Sequence, residues 1–340
     1  MTNTDQIRVG LIGCGYQGQW LAKAVVGVEN LILTGYVDPN TDAAAKVREI
    51  SNGASSYPSP EALLNSDQVD AVLVATPHHL LQPYALLAIQ ANKHVLAEKP
   101  IALNASQARE LEAAVAKQGV TFMSGYSFRY FDHPAQARQL LADGVIGNIQ
   151  TISAGMIRPG LRSGWASDPA AGGGMLGFFG CHIVDRVLWF LEDEPVEVFA
   201  EVRYHPDSGV DLTSIFQVRF AGGATAQFNV CGEANGPFDF AHICGDAGYM
   251  YLAVENFPQY SLTVSSTIIE EYAASKIYRS DLGREAAILK KMVAELNDFA
   301  RTIRRGCHSP ITVEDGRKVL EILDAVIRSG KTGRPVAIGR

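Results

Sequence analysis

A lysine, a histidine and several glycines hold most of the chemical information in this 340-residue chain. Lys99 stands in Glu98-Lys99-Pro100, directly after an apolar run. There its ammonium is placed to meet a substrate hydroxyl or carbonyl and to stabilise negative charge developing on oxygen. Pro100 stiffens the turn, and the Lys99–Pro100 bond is of the type that admits a cis state. The bland alternative is a solvated surface lysine. Further along, Gly172-Gly173-Gly174 leads into a helix with His182, the side chain best suited to proton transfer near neutral pH. Asp185 follows within one turn on the same face. Here the bland alternative is a core histidine.

The third constellation is Ile7-Arg8-Val9-Gly10-Leu11-Ile12-Gly13-Cys14-Gly15-Tyr16-Gln17-Gly18. An apolar strand runs into G-x-G-x-x-G, and a helix follows. Gly13 permits the turn, Gly15 lets the backbone approach a pyrophosphate, and Gly18 lets helix and strand pack closely. A second apolar run, Leu31–Val37, ends in Asp38, about 20 residues on, where the dinucleotide fingerprint places an acid for a ribose 2′-hydroxyl. A carboxylate there repels a 2′-phosphate, and Pro39, Asn40 and Thr41 supply no cation. The expected cofactor is NAD rather than NADP. Cofactor contacts are expected at Gly13, Gly15, Tyr16, Gln17, Gly18, Asp38, Thr76, Pro77, Glu98 and Lys99.

These residues need elements to position them. Apolar runs at 71–75, 94–97 and 121–124 alternate with helical patterns at 42–50, 80–91 and 104–117. That alternation predicts a parallel sheet covered by helices on both faces. Gly13, Asp38, Thr76 and Glu98 then stand at strand carboxyl ends and converge on one crevice. Past Tyr126 the texture changes. A helix over 134–143, a strand over 149–156 and a helix over 180–191 precede successive strands at 196–202, 212–220, 224–230 and 241–244. This predicts an α+β domain with a mostly antiparallel sheet. Gly222-Gly223 reads as a hairpin turn. Helices over 283–305 and 312–329 close the chain, with Gly330 as a cap. The expected division is 1–125 and 126–340, an α/β protein of two domains.

Composition excludes several classes. The chain is 47% hydrophobic and 19% charged, as an ordinary globular protein is. Its net charge of -7 and its lack of a basic stretch speak against nucleic acid. No apolar run reads as long enough to span a bilayer and no secretory signal is evident, so no membrane partner is expected. Five scattered cysteines without a C-x-x-C pair suit a reducing cytoplasm. His78-His79 alone makes no metal site, and no metal is expected.

Taken together, the Gly13–Gly18 loop, Ala75-Thr76-Pro77, Lys93–Pro100, the 172–182 segment and the closing Ser329–Val336 resemble the Gfo/Idh/MocA family, the glucose–fructose oxidoreductase and inositol dehydrogenase group. The resemblance runs nearly end to end. It implies a Rossmann domain followed by an α/β domain with a large open sheet. It also implies NAD(P)-dependent hydride transfer on a sugar, polyol or related carbonyl compound, and a homodimer or homotetramer formed through the sheet. Lys99 matches the family's motif lysine and His182 its acid/base histidine. Tyr126, Arg129 and Trp165 lie in segments that line the family's substrate pocket, and Asp185 joins them as a candidate. Arg158, Arg162, Glu233 and Asn235 are further polar candidates. Two departures stand out: Phe178 occupies the place of the family's Asp four residues before the His, and Leu81 that of a His after the Thr-Pro turn. Phe178 cannot orient an imidazole, so Lys99 is expected to carry more of the proton transfer. It also keeps two alternatives open, NAD-assisted glycoside cleavage and a non-catalytic dinucleotide- or sugar-binding sensor.

Overall fold

The computed structural model describes residues 6–51, 53–159, 164–234, 238–256 and 259–338. They divide into two compact units. The first takes the chain up to Ser127 together with Leu289–Arg317, and the second takes Phe128–Ile288 and Lys318 onward.

The first unit follows from strand–helix alternation. Strand β1 (Ile7–Ile12) leads to α1 (Tyr16–Val26), then β2 (Leu31–Val37), α2 (Thr41–Ser51), β3 (Ser55–Ser56), α3 (Pro60–Leu64), β4 (Ala71–Val74), α4 (His78–Gln90), β5 (His94–Glu98), α5 (Ala105–Gln118) and β6 (Phe122–Gly125). All its strand pairs are parallel, in the order β3-β2-β1-β4-β5-β6. β4 and β6 are buried along their whole length, as strands covered on both faces must be. Asn104 caps α5 by accepting from the Gln107 amide, and Gly119 closes that helix at φ 70°. The returning segment 289–317 is tied in by Ser124, whose amide donates to the Ile311 carbonyl and whose hydroxyl donates to that of Thr312.

In the second unit, α6 (Asp132–Ala142), β7 (Ile149–Ile157) and α7 (Cys181–Leu191) precede β8 (Pro195–Tyr204), β9 (Asp211–Phe220), β10 (Thr225–Cys231), β11 (Phe238–Gly245), β12 (Gly248–Asn256), β13 (Gln259–Ser266) and β14 (Lys276–Arg279). Helices α8 (Arg284–Arg305) and α9 (Val313–Thr332) and a short β15 (Val336–Ala337) complete the chain. The nine strands form one sheet, β14-β13-β12-β11-β7-β10-β9-β8-β15, antiparallel except at β10–β7. Gly223, at φ 98°, turns β9 into β10 as the sequence predicts. One face presents the cross-strand row Ile277, Thr263, Tyr251, His242, Ser153, Gln227, Gln217 and Phe199. Of these, Phe199, Tyr251 and Ile277 are exposed large apolar side chains.

The structure corrects two expectations. Gly330 lies inside α9 rather than capping it. A Cβ there would sit 2.6 Å from Val202 Cγ2, so the glycine serves close packing of helix on strand. The residue after the helix is Gly333, at φ 62°. Second, Pro169–Leu191 forms a helical stretch with the length and apolarity of a membrane span, which the sequence reading does not find. It is mostly buried within the unit and carries Asp185 and Arg186, each in a buried ion pair, as a core segment does.

Candidate functional site

In the first unit, the carboxyl ends of β1, β2, β4 and β5 lie side by side. A Cβ on Gly13, at φ 96°, would stand 2.5 Å from the Ala75 carbonyl oxygen and 3.1 Å from Thr76 Cγ2. On Gly18 it would stand 2.0 Å from the Gly13 carbonyl oxygen. Both glycines are therefore demanded by the protein itself. Gly15 differs: among the described residues, an added Cβ meets no atom within 4 Å. Helix α1 starts there without a side-chain cap and without an acid in its first turn. Its leading amides and positive dipole end are thus left for an anion.

Asp38 closes the neighbouring strand. Its Oδ2 accepts the Cys14 amide at 2.6 Å and its Oδ1 the Asn40 amide at 2.7 Å. A carboxylate has further lone pairs to offer a ribose hydroxyl. Burial, with Asp38 beside it, pushes the Cys14 thiol up to about 12, so this cysteine is no nucleophile. Tyr16 is exposed at the first position of α1. Gln17 Nε2 donates to Glu98 Oε1 at 2.5 Å, linking the glycine loop to the end of β5. The other carboxylate oxygen of Glu98 accepts the Lys99 amide at 3.3 Å. Burial pushes the Glu98 carboxyl up, while Lys99, Gln17 and Lys291 pull it down. Lys99 is half-buried, its peptide to Pro100 is cis, and Pro77 stands just before α4. Tyr126 is fully buried beyond β6. These residues fit a dinucleotide: an open glycine, an uncapped helix start and an acid on the next strand.

The second unit holds the other candidates. His182 is buried on the first turn of α7 and stacks on Phe128, with ring centroids 3.9 Å apart and planes at 13°. The turn before it, Leu176–Gly180, is π-helical, a local widening of the kind that recurs at functional sites. Gly173 and Gly174 are explained by contact. A Cβ on Gly173 would lie 2.4 Å from the Ala166 carbonyl oxygen, and one on Gly174, at φ 114°, 2.0 Å from Asp211 Oδ1. The other oxygen of Asp211 accepts the Leu176 amide at 2.7 Å, anchoring the π turn from β9. Burial holds the Asp211 carboxyl at about 6.

Asp185 and Arg129 find each other. Arg129 Nη2 lies 2.6 Å from Asp185 Oδ1, and Nε donates to Oδ2 at 3.0 Å, both side chains nearly inaccessible. Arg186 forms a second buried pair with Asp239 at 2.7 Å, and Tyr260 donates to the same carboxylate at 2.5 Å. Two ion pairs thus fix the rotation of the helix that carries His182. Phe178 stacks on Trp165 at 5.6 Å and touches Phe179, so an aromatic wall stands in the family's acid position. Arg158 lies over Phe179, and Glu233 is taken up by Arg203 and Thr213. Arg162 and Asn235 lie outside the described residues.

The sequence reading missed Phe128, Asp211, Lys291 and Glu295. The last two sit four apart on α8, a spacing that reads as a solvated pair, yet both are buried.

Comparison with known proteins gives two family matches. Residues 7–126 match the model of an oxidoreductase family with an NAD-binding Rossmann fold, and residues 135–251 match the GFO/IDH/MocA C-terminal domain. The 1,5-anhydro-D-fructose reductase of Ensifer adhaerens is 31% identical over 229 residues, 65% of this chain and 68% of that protein. The 2,7-anhydro-N-acetylneuraminate hydratase of Escherichia coli strain K12 is 34% identical over 196 residues, 56% of this chain and 51% of its own length. The chain thus spans about half the length of that relative. Among solved structures, levoglucosan dehydrogenase in complex with NADH and levoglucosan superposes with a TM-score of 0.89 at 21% identity. That match covers 98% of this chain and all of the other, a likeness of fold.

Proposed function

The chain belongs to the Gfo/Idh/MocA oxidoreductase family, and on that premise we propose that it moves hydride between a nicotinamide dinucleotide and a sugar, polyol or related carbonyl compound. The observation that carries the proposal is the uncapped start of α1 at an open Gly15, with Asp38 on the adjacent strand. Asp38 and the absence of a following cation favour NAD over NADP.

When bound, the nicotinamide supplies the hydride chemistry. Gly13, Gly15 and Gly18 shape the loop against the pyrophosphate, Asp38 accepts from the ribose, and Glu98 holds Gln17 and the Lys99 amide in place. Lys99 takes the substrate hydroxyl proton and stabilises the developing oxyanion. His182 is the second acid/base group, its ring plane held by Phe128. Phe178, in the acid position, has no charge with which to steady an imidazolium, which shifts the proton transfer toward Lys99. The Arg129–Asp185 pair and Trp165 shape the substrate side.

The test is a screen for NADH formation across hexoses, inositols and sugar acids, with calorimetry of NAD and NADP alongside. Lys99→Ala should lower kcat by roughly a thousandfold or more while NAD binding persists; retained turnover refutes the assignment. A second reading draws on Phe178 and on the hydratase name of the Escherichia coli relative. In it, transient oxidation precedes loss of a leaving group and return of the hydride. Product release without net NADH would favour it. We also propose that the exposed row of the sheet pairs with a second copy, which sedimentation tests, and that the enzyme works in the cytoplasm, in keeping with five scattered cysteines that form no C-x-x-C pair.

A further inference from the structure

Three ionisable side chains are buried together beneath the Lys99 segment. Glu98 ends β5, and Lys291 and Glu295 project from successive turns of α8; Glu295 is wholly inaccessible and Lys291 is 4% exposed. The Lys291 ammonium donates to the Ser127 hydroxyl. It also lies within electrostatic reach of both carboxylates and of Lys99. Neither oxygen of Glu295 has a hydrogen-bond partner among the described residues. Burying three such groups costs several kcal/mol per unpaired charge, so a packing role alone is a poor account of them.

We propose that Lys291 is a positioning residue for the cofactor loop, with Glu295 setting how much of its charge reaches Glu98: anchored at Ser127, Lys291 holds the Glu98 carboxylate, and through it Gln17 and the Lys99 backbone, in one arrangement. The inference rests on the reading that the glycine loop takes a pyridine dinucleotide. The chain of contacts is short. Glu98 is joined both to Gln17 of the glycine loop and to the amide of Lys99. Its counter-charge inside the unit comes from Lys291 and Lys99.

Charge balance decides how the cluster behaves. Two carboxyl groups face one interior ammonium. Burial, and next the charge of Glu98, hold the Glu295 carboxyl at about 8, with Lys291 opposing and Asp298 adding to the shift. Burial lowers Lys291, against the pull of Glu295 and Glu98. At neutral pH Glu295 keeps its proton and does not compete with Glu98 for Lys291. Above about 8 Glu295 ionises and competes for the same ammonium. The grip on Glu98 then loosens, and with it the link to Gln17. The sign for stability follows: the raised acid supports the fold fully below about 4.5, loses that support steadily as pH rises, and contributes none once pH has passed about 8.

The test compares wild type with Glu295→Gln, which keeps the shape and never ionises. Melting of the cofactor-free proteins from pH 6.5 to 9.5 should show wild type falling relative to the variant by about 2–4 °C, most of it below about pH 8, with the difference levelling off above. Calorimetry with NAD over the same range should show the ratio of the two Kd values changing by at least about threefold. Lys291→Met should weaken NAD binding by about tenfold with native circular dichroism, and Lys291→Arg should recover part of it. If Lys291→Met does not fold, the Glu295→Gln comparison decides alone. Parallel melting and binding curves for wild type and Glu295→Gln, with NAD bound by both, overturn the inference and leave the functional reading intact. No NAD binding by wild type at any pH overturns both.

Discussion

Two glycine-rich turns lead into helices in this protein, and they differ in what fills the space a side chain would take. At Gly13–Gly18 the first and last glycines face the protein's own backbone, but Gly15 faces nothing and the helix after it is uncapped. At Gly172–Gly174 the second and third glycines face the Ala166 carbonyl and the Asp211 carboxylate, and that acid already serves the amide at the start of the next turn. The first loop leaves its helix dipole to a visitor. The second satisfies it from within. Similar composition therefore leaves an open helix start in one unit and builds an internal clamp in the other.

The sharpest way to break this contrast is Gly174→Ala. A methyl at φ 114° against a buried carboxylate should cost on the order of 4 kcal/mol of stability, read as a lower urea midpoint with no ligand present. Gly15→Val is its counterpart: unfolding should be unchanged to within about 0.5 kcal/mol, while calorimetric affinity for NAD falls roughly 100-fold, about 2.7 kcal/mol. A Gly15 variant that binds as wild type does, or a Gly174 variant that melts as wild type does, removes the distinction.

Asp211→Asn gives a finer measure. Burial raises this acid to about 6 from 3.8. Its contribution to stability is complete below about 3.8 and disappears as pH passes about 6. Between pH 4 and pH 7.5 wild type should lose stability relative to the variant by about 2 kcal/mol. A constant difference would place the carboxylate in water rather than under the glycines.

How much of this could be read beforehand depends on whether a feature is local. The six-stranded sheet was legible because each apolar run and each turn is written within a few residues, and the Gly13–Gly18 loop carries its own spacing. So was His182 on its helix. The π turn was not, since an i→i+5 bond leaves no periodic trace in composition. Strands β12 to β14 were missed because their exposed face carries Tyr249, Tyr251 and Ile277, which blurs the alternation of a half-buried strand. Gly330 looked like a cap because only the neighbouring strand shows that it is a contact. Lys291 and Glu295 drew no reading from the sequence, because their burial is imposed by a segment almost 200 residues away in the chain.

The clamp at Asp211 also orders events in time. Its partner amide at Leu176 was made 35 residues earlier. A nascent chain must release Asp211 from the ribosome before the π turn ahead of the histidine helix gains this contact. Fragments ending ahead of that aspartate should hold the segment loosely, however much of the helix they contain.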